Sequence, residues 1–357
     1  MQLTVLTGHT PRHYSIKPVD AEGRVDRAYY TWQPEGTVEW HRFIDTMADT
    51  LVPRRIAPEP AHPTDTLPRS GRPLVEAWEV WSEADQNFYY GSWDRYLDML
   101  RIAYCTVRCH GRVPVVYGSC GHLTEMNWTK WSGCGDYFDR IAYHPCGSDP
   151  AYQLMHWYRN MPQALVDYGG IRDTALTECG MHAEERTEAA EAGFLPSLYA
   201  TLKAFGEVHF IRSGCVGGTF TTRDTPISLA RLVDGELIPN PAYVAYAVTR
   251  WLLESAEYVG PLDAPEGAHL QLFLRGDSPF VIGWTDEGTA RVTVPVSSRA
   301  RIMDALGTTR PLDSPSATVE LSTDAVVLLD VAPECFSEAA TRGLELVLRT
   351  ELGHESL

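Results

Sequence analysis

The sequence predicts an α/β chain in two parts: parallel βα units over residues 1–260, then an all-β module over residues 261–335 and a tail over 336–357. Three observations carry this. Short apolar runs alternate with helical stretches as far as Glu257, the rhythm of βα units. After Gly260 the helical spacing stops, and strand-length runs follow one another across turns at Gly276-Asp277 and Glu287-Gly288, which points to a sandwich. A length of 357 residues, with 44% hydrophobic and 22% charged content, suits one large core and one small one.

Residues 3–7 read as a short buried strand closed by Gly8. Helical spacing runs over 38–51 through Val38, Phe43, Met47 and Leu51. Prolines at 58, 60, 63 and 68 make 53–72 a loop. Residues 74–81 form a strand with Leu74, Trp78 and Val80 on one face and Glu79, Trp81 and Glu83 along the other, as suits a barrel whose mouth is a site. Glu79 is expected to pair with an arginine on that inward face. Ser92 caps a helix through Tyr96, Met99, Leu100, Ala103 and Val107 to His110, and Gly111 stops it. Strands follow at 113–117, 138–143, 173–177 and 208–211. Helices are expected over 151–168, over 184–205 with a kink at Pro196, and from an Asn240 cap with Pro241 first to about residue 257. The module's strands are expected at 271–274, 280–284, 290–294, 301–303, 318–321 and 326–329, and Pro333 opens one short helix.

The formal charge is −17, from 30 basic and 47 acidic side chains, which argues against nucleic acid and anionic membranes as partners. Ten Trp and 17 Tyr cluster at Phe88-Tyr89-Tyr90, Trp128 with Trp131, and Trp157-Tyr158. Such rings stack on the C–H faces of sugars or pack a core. The eight cysteines are scattered without a CxxC pair, so neither a metal nor a cofactor is expected, and free thiols in a reducing compartment are the reading. Cys105, Cys109 and His110 share one helix but have no second ligand pair nearby. The first residues lack a basic region and a long apolar run, and no 18-residue apolar stretch occurs, so neither a signal peptide nor a membrane span is expected and the cytoplasm is the default location.

Two glutamates stand where strands give way to loops: Glu83 after Trp78-Glu79-Val80-Trp81-Ser82, and Glu178 in Thr177-Glu178-Cys179-Gly180. Two carboxyls in one cleft are the machinery that breaks a glycosidic bond. The motifs and their order resemble the large retaining (β/α)₈ clan of glycoside hydrolases, nearest its β-xylosidase and α-iduronidase branch. The run Trp78 to Ala84 matches the clan's Trp-Glu-Val-Trp-Asn-Glu-Pro at the fourth strand. Phe138-Asp139 through His144-Pro145-Cys146 matches its sixth strand, and Thr177 to Gly180 its seventh. Leu6-Thr7-Gly8-His9-Thr10-Pro11-Arg12 looks like its third, Pro239 to Tyr246 like its last helix, and residues 261–331 like its appended sandwich.

The resemblance implies a TIM barrel acting on a carbohydrate, with Glu83 as acid/base and Glu178 as nucleophile. It implies substrate contacts from Trp81, Ser82 and His144, with His9 and Trp128 as further candidates. The chain departs from the clan at Ser82, where the clan has Asn, at Cys146, where it has Tyr, and at His209-Phe210-Ile211-Arg212, which lacks the eighth-strand Trp. Only six βα strands are readable where eight close a barrel. The missing two lie upstream, come from a partner chain or a second copy that completes the edge, or are absent from a remodelled barrel; Met1 opening on a strand favours the first two. Two functions follow. The intact Glu pair favours a retaining glycosidase. Ser82, Cys146 and the strand count favour a degenerate carbohydrate-binding or structural module of a larger assembly, for example a phage tail.

Overall fold

A computed structural model describes residues 3–7, 34, 36–54, 73–84, 89, 91–118, 132–144, 173–177, 187–204, 216–217, 230–233, 236–312 and 316–351. The chain divides into two compact units, one of residues 1–144 and 157–177, the other of 145–156 and 178–357.

The first unit contains β1 (Leu3–Thr7), α1 (Thr37–Leu51), β2 (Val75–Val80), α2 (Trp93–His110), β3 (Val115–Tyr117), β4 (Arg140–Tyr143) and β5 (Asp173–Leu176). The strands form one sheet in the order β1-β2-β3-β4-β5, every neighbour parallel. Strands that enter a sheet in sequence order, all parallel, require each connection to return to the same edge, as successive βα units do. Strand β2 carries its buried side chains on both faces, Val75 and Ala77 with Glu79 on one and Trp78 and Val80 on the other. Ala77 joins Val116, Ala142 and Ala175 in a cluster of small residues on one side. Trp78 and Val80 point to the other side, toward α2.

Helix α2 begins and ends where the sequence predicts. The Ser92 hydroxyl accepts from the Arg95 amide at 3.3 Å, and the Gly111 amide donates to the Val107 carbonyl. Its buried stripe of Tyr96, Met99, Leu100, Ala103 and Val107 is the predicted one. The Tyr96 hydroxyl donates to the Val80 carbonyl at 3.2 Å, and its ring meets Tyr117 edge-on. Helix α1 packs on α2, where the Trp40 indole donates to the Met99 carbonyl. His110 lies 2.8 Å from Asp45 of α1. Asp139 accepts from the Val115 amide at 2.8 Å and from Arg108, which ties β3, β4 and α2 together.

Among the described residues the second unit begins with α3 (Glu188–Ala204), buried continuously from Glu191 to Leu202 and carrying Pro196 within its span. A three-stranded sheet follows, β6 (Val216–Gly217), β7 (Ala230–Val233) and β8 (Glu236–Pro239). This hairpin escapes the periodicity reading because its strands are four residues long. Helix α4 (Pro241–Leu253) starts at Asn240, whose side chain makes no capping bond, and ends four residues before Glu257 because β9 begins there.

The antiparallel sheet contains β9 (Glu257–Pro261), β10 (Ala268–Arg275), β11 (Ser278–Thr285), β12 (Ala290–Met303), β13 (Thr309–Pro311), β14 (Ser316–Leu321) and β15 (Val326–Val331), in the order β13-β12-β15-β11-β10-β9 with β14 on β12. Strand β9 crosses position 260, where the helical part was expected to end. The two expected strands at 290–294 and 301–303 are one. Strand β12 pairs with β14 over its first half and, after a register shift between Val296 and Arg301, with β15 and β13 over its second. That irregularity lets one strand serve two arms around a shared core of Leu272, Val281, Val294, Val319 and Leu328. Helix α5 (Glu334–Glu351), the helix expected after Pro333, is 18 residues long rather than short. It closes on β9 where Gly260, at φ 154°, brings its backbone to the Ala339 carbonyl; an added Cβ would lie 2.3 Å away.

Among the described residues, no helix is long and apolar enough to cross a membrane. The helix expected at 151–168 and the strand at 208–211 lie outside the described residues, as do His9, Trp128 and Glu178.

Candidate active site

At its C-terminal end β2 passes into a tight loop, Trp81 to Ala84. Trp81 has φ 66° and Glu83 φ 47°, both in the left-handed region without being glycine. Each such residue costs on the order of 1–3 kcal/mol and persists only where its surroundings impose it. They do so here. The Trp81 amide donates to the Thr7 carbonyl at 2.7 Å, and the Ala84 amide donates to the Gly118 carbonyl at 3.0 Å. Thr7 grips β2 further, donating its hydroxyl to the Glu79 carbonyl and accepting from the Trp78 indole. Gly118 has to be glycine because a Cβ there would lie 2.1 Å from the Trp81 carbonyl oxygen and 2.3 Å from that of Val80. The loop is thus held between the ends of β1 and β3.

Three strand ends converge on Glu83. Its Oε1 is 2.7 Å from Nδ1 of His144, the residue after β4. Nε2 of the same ring is 3.0 Å from Oγ1 of Thr177, the residue after β5. Thr177 donates to Oε1 of Glu79, on β2, at 3.0 Å. The result is a chain, Glu83–His144–Thr177–Glu79. The His144 side chain is 3% exposed and that of Glu83 18%, so the chain meets solvent chiefly at the Glu83 end. Parallel strands collect such groups at their C-terminal ends, where the following loops start.

The sequence-predicted residues fare differently. Glu83 and His144 are brought together. Trp81 is fully buried, its ring edge-on to Tyr89 at 5.2 Å, so it packs beneath the loop. Ser82 is buried beside it. Sequence reasoning placed Glu79 on the inward face but gave Thr177 no role. Its signal was available: Thr177 sits one residue before Glu178 and at the end of a strand.

Below the loop an aromatic cluster of Trp81, Tyr89, Trp93, Tyr96, Tyr117 and Phe138 fills the space toward α2. Burial there pushes the Tyr89 hydroxyl well above the usual tyrosine range, with Arg95 opposing in part, so Tyr89 stays a neutral donor, to the Ser92 carbonyl. Among the described residues, no group of three His, Cys, Asp or Glu side chains is placed to hold a metal ion.

No protein-family model matches the sequence, and no curated protein matches it. Solved structures do. A β-xylosidase from Caulobacter crescentus CB15 aligns at a TM-score of 0.56 and 13% identity, covering 92% of this chain and 80% of that one. A glucosidase from Croceicoccus marinus aligns at 0.59 and 11%, covering 84% and 75%. The chain shares its fold with glycoside hydrolases. A family 39 glycoside hydrolase from the gut symbiont Bacteroides cellulosilyticus WH2 aligns at 0.54 and 19% over 72% of this chain, which spans only 58% of that enzyme's length. At these identities the likeness is one of fold. It accommodates the parallel sheet followed by the antiparallel one, with the Glu83 chain at the C-terminal ends of the parallel strands.

Proposed function

We propose that this chain is a glycoside hydrolase that cleaves its carbohydrate by a retaining, two-carboxylate mechanism. The observation that carries the proposal is the position of Glu83: a carboxyl at a strand end, on an imposed left-handed backbone, partly open to solvent and hydrogen-bonded to a buried histidine. An ordinary surface acid needs none of these constraints.

In this reading Glu83 is the acid/base and Glu178 the nucleophile. Glu83 donates its proton to the glycosidic oxygen while a Glu178 oxygen attacks the anomeric carbon, so the leaving alcohol departs and a glycosyl ester forms. Glu83, now a carboxylate, takes a proton from water as that water attacks the same carbon and frees Glu178. The two carboxyls of such enzymes stand about 5 Å apart, and Thr177, next to Glu178 in the chain, already reaches His144 at Glu83.

The test is covalent trapping. A panel of 2-deoxy-2-fluoro glycosides with activated leaving groups is offered to the full chain, followed by peptide mass spectrometry. The expected result is one label, on Glu178, and loss of both label and turnover in Glu178→Gln. Turnover without a label, or a label on another residue, overturns the assignment. Absence of turnover across a panel of aryl glycosides overturns the enzyme.

A further inference from the structure

Glu83 is the second left-handed residue of the loop Trp81 to Ala84, so its carboxyl stands where the peptides of that loop are pinned. Gly118, after β3, pins one end in two ways. Its carbonyl takes the Ala84 amide at 3.0 Å, one residue past Glu83. Its missing side chain leaves room for the carbonyl oxygens of Trp81 and Val80, which a Cβ would meet at 2.1 and 2.3 Å. The φ of Gly118 lies outside the left-handed region, so the backbone would accept alanine and crowding alone requires glycine. Both crowded atoms belong to the main chain, so no rotamer change relieves them. The Val80 oxygen is also held by the Tyr96 hydroxyl at 3.2 Å. A side chain at 118 therefore displaces the start of the loop more readily than the end of β2.

Thr7, the last residue of β1, pins the other end. Its carbonyl takes the Trp81 amide at 2.7 Å, two residues before Glu83. Its hydroxyl donates to the Glu79 carbonyl at 2.9 Å and accepts from the Trp78 indole at 3.0 Å, so the one oxygen works in both roles. Those bonds fix β1 against β2 just below the peptide where the loop starts. Neither residue can offer a side chain to a substrate: Gly118 has none, and Thr7 is 2% exposed.

We infer that Gly118 and Thr7 are positioning residues, which set where the Glu83 carboxyl stands against His144 and so how well it reaches the glycosidic oxygen. The effect on turnover rests on the glycosidase reading; the effect on the Glu83–His144 contact does not. Displacing a reacting group by about 1 Å can cost on the order of 10²-fold in rate, so a loop held from two neighbouring strands has a direct kinetic meaning.

Two readouts test it, and the first needs no substrate. In the full chain labelled with ¹⁵N-histidine, His144 is assigned from His144→Gln, and Glu83→Ala shows how its ring signals change when the 2.7 Å contact is lost. Gly118→Ala is expected to move the same signals in the same direction. Thr7→Val moves them less, and Thr7→Ser restores them. Signals that stay at their wild-type positions in both Gly118→Ala and Thr7→Val overturn the inference, whatever the activity. The second readout is kinetic, at temperatures well below unfolding. Gly118→Ala is expected to lower kcat for phenyl glycosides by about 10–10²-fold with KM within about twofold of wild type. The loss is smaller for 2,4-dinitrophenyl glycosides, whose leaving group needs no proton. Equal losses on both substrates, or a rise in KM alone, would mean a purely structural role and overturn the inference. Absence of turnover by the wild type would sink the glycosidase reading and leave the first readout to decide the positioning. If Gly118→Ala does not fold, Thr7→Val with its Ser rescue carries both readouts.

Discussion

The two sheets of this chain solve opposite problems. The parallel sheet is built of strands three to six residues long, and the hydrogen-bonded polar chain it carries, Glu83–His144–Thr177–Glu79, gathers at the C-terminal ends of three of them. The antiparallel sheet has strands of up to 14 residues that alternate buried and exposed positions, as in the regular alternation of β14. Its polar contacts lie outside, such as the Thr293–Thr318 hydroxyl pair between β12 and β14. One sheet uses its strands as stems that present a few side chains at the tip. The other uses them as walls. Chemistry should therefore be concentrated in the first, and tolerance of substitution should depend on burial alone in the second.

The sharpest test is Glu83→Gln. It removes the transferable proton and should lower turnover of phenyl glycosides by about 10²–10⁴-fold while leaving thermal unfolding in place, because Gln keeps the volume and can still bond His144. Loss of folding instead would make Glu83 a structural residue and dissolve the contrast. The mirror experiment is Leu272→Ala on β10. Leu272 is fully buried in the antiparallel core, and its truncation should cost about 2–5 kcal/mol in denaturant unfolding with no change in turnover well below the transition. A change in kcat at low temperature would mean that the walls also shape the site.

The smallest effect is at Cys335. Burial, then the charges of Glu338 and Glu334, push its thiol up to about 11. The folded state thus favours the neutral thiol. Its contribution is complete below the unfolded thiol's value near 8.5 and drains away as pH rises toward about 11. Cys335→Ala should flatten that part of the alkaline decline of stability, and an unchanged slope would place the loss elsewhere.

The contrast also explains what could be read in advance. Regular alternation and well-capped helices were legible: Ser92 and Gly111 bound α2, and β10, β11, β14 and β15 appeared with only their ends misplaced, while β9 and β13 were missed. What failed was continuity and brevity. Strand β12 reads as two because its period breaks between Val296 and Arg301, and β7 and β8 are too short to show a period at all. The strand-end positions of Glu83 and His144 were legible from the motifs, and the structure brings the two side chains within 2.7 Å. The link through Thr177 to Glu79 was not legible, because it joins three strands through side chains and no spacing within one strand encodes it. The alternation put Trp81 on one face with Glu79 and Glu83, but no pattern showed that its ring would pack edge-on to Tyr89 beneath a left-handed loop.

That backbone records a compromise. At positions 81 and 83 a tryptophan and a glutamate hold conformations that glycine or asparagine would adopt with far less strain, so the chain forgoes stability at the very loop that carries Glu83, the proposed acid. A protein relieved of the need for that acid would gain by drifting to small residues there. Retaining two large side chains in such a conformation amounts to a standing investment in the loop's shape, and it is the place where an evolutionary loss of function would first become visible as a gain in stability.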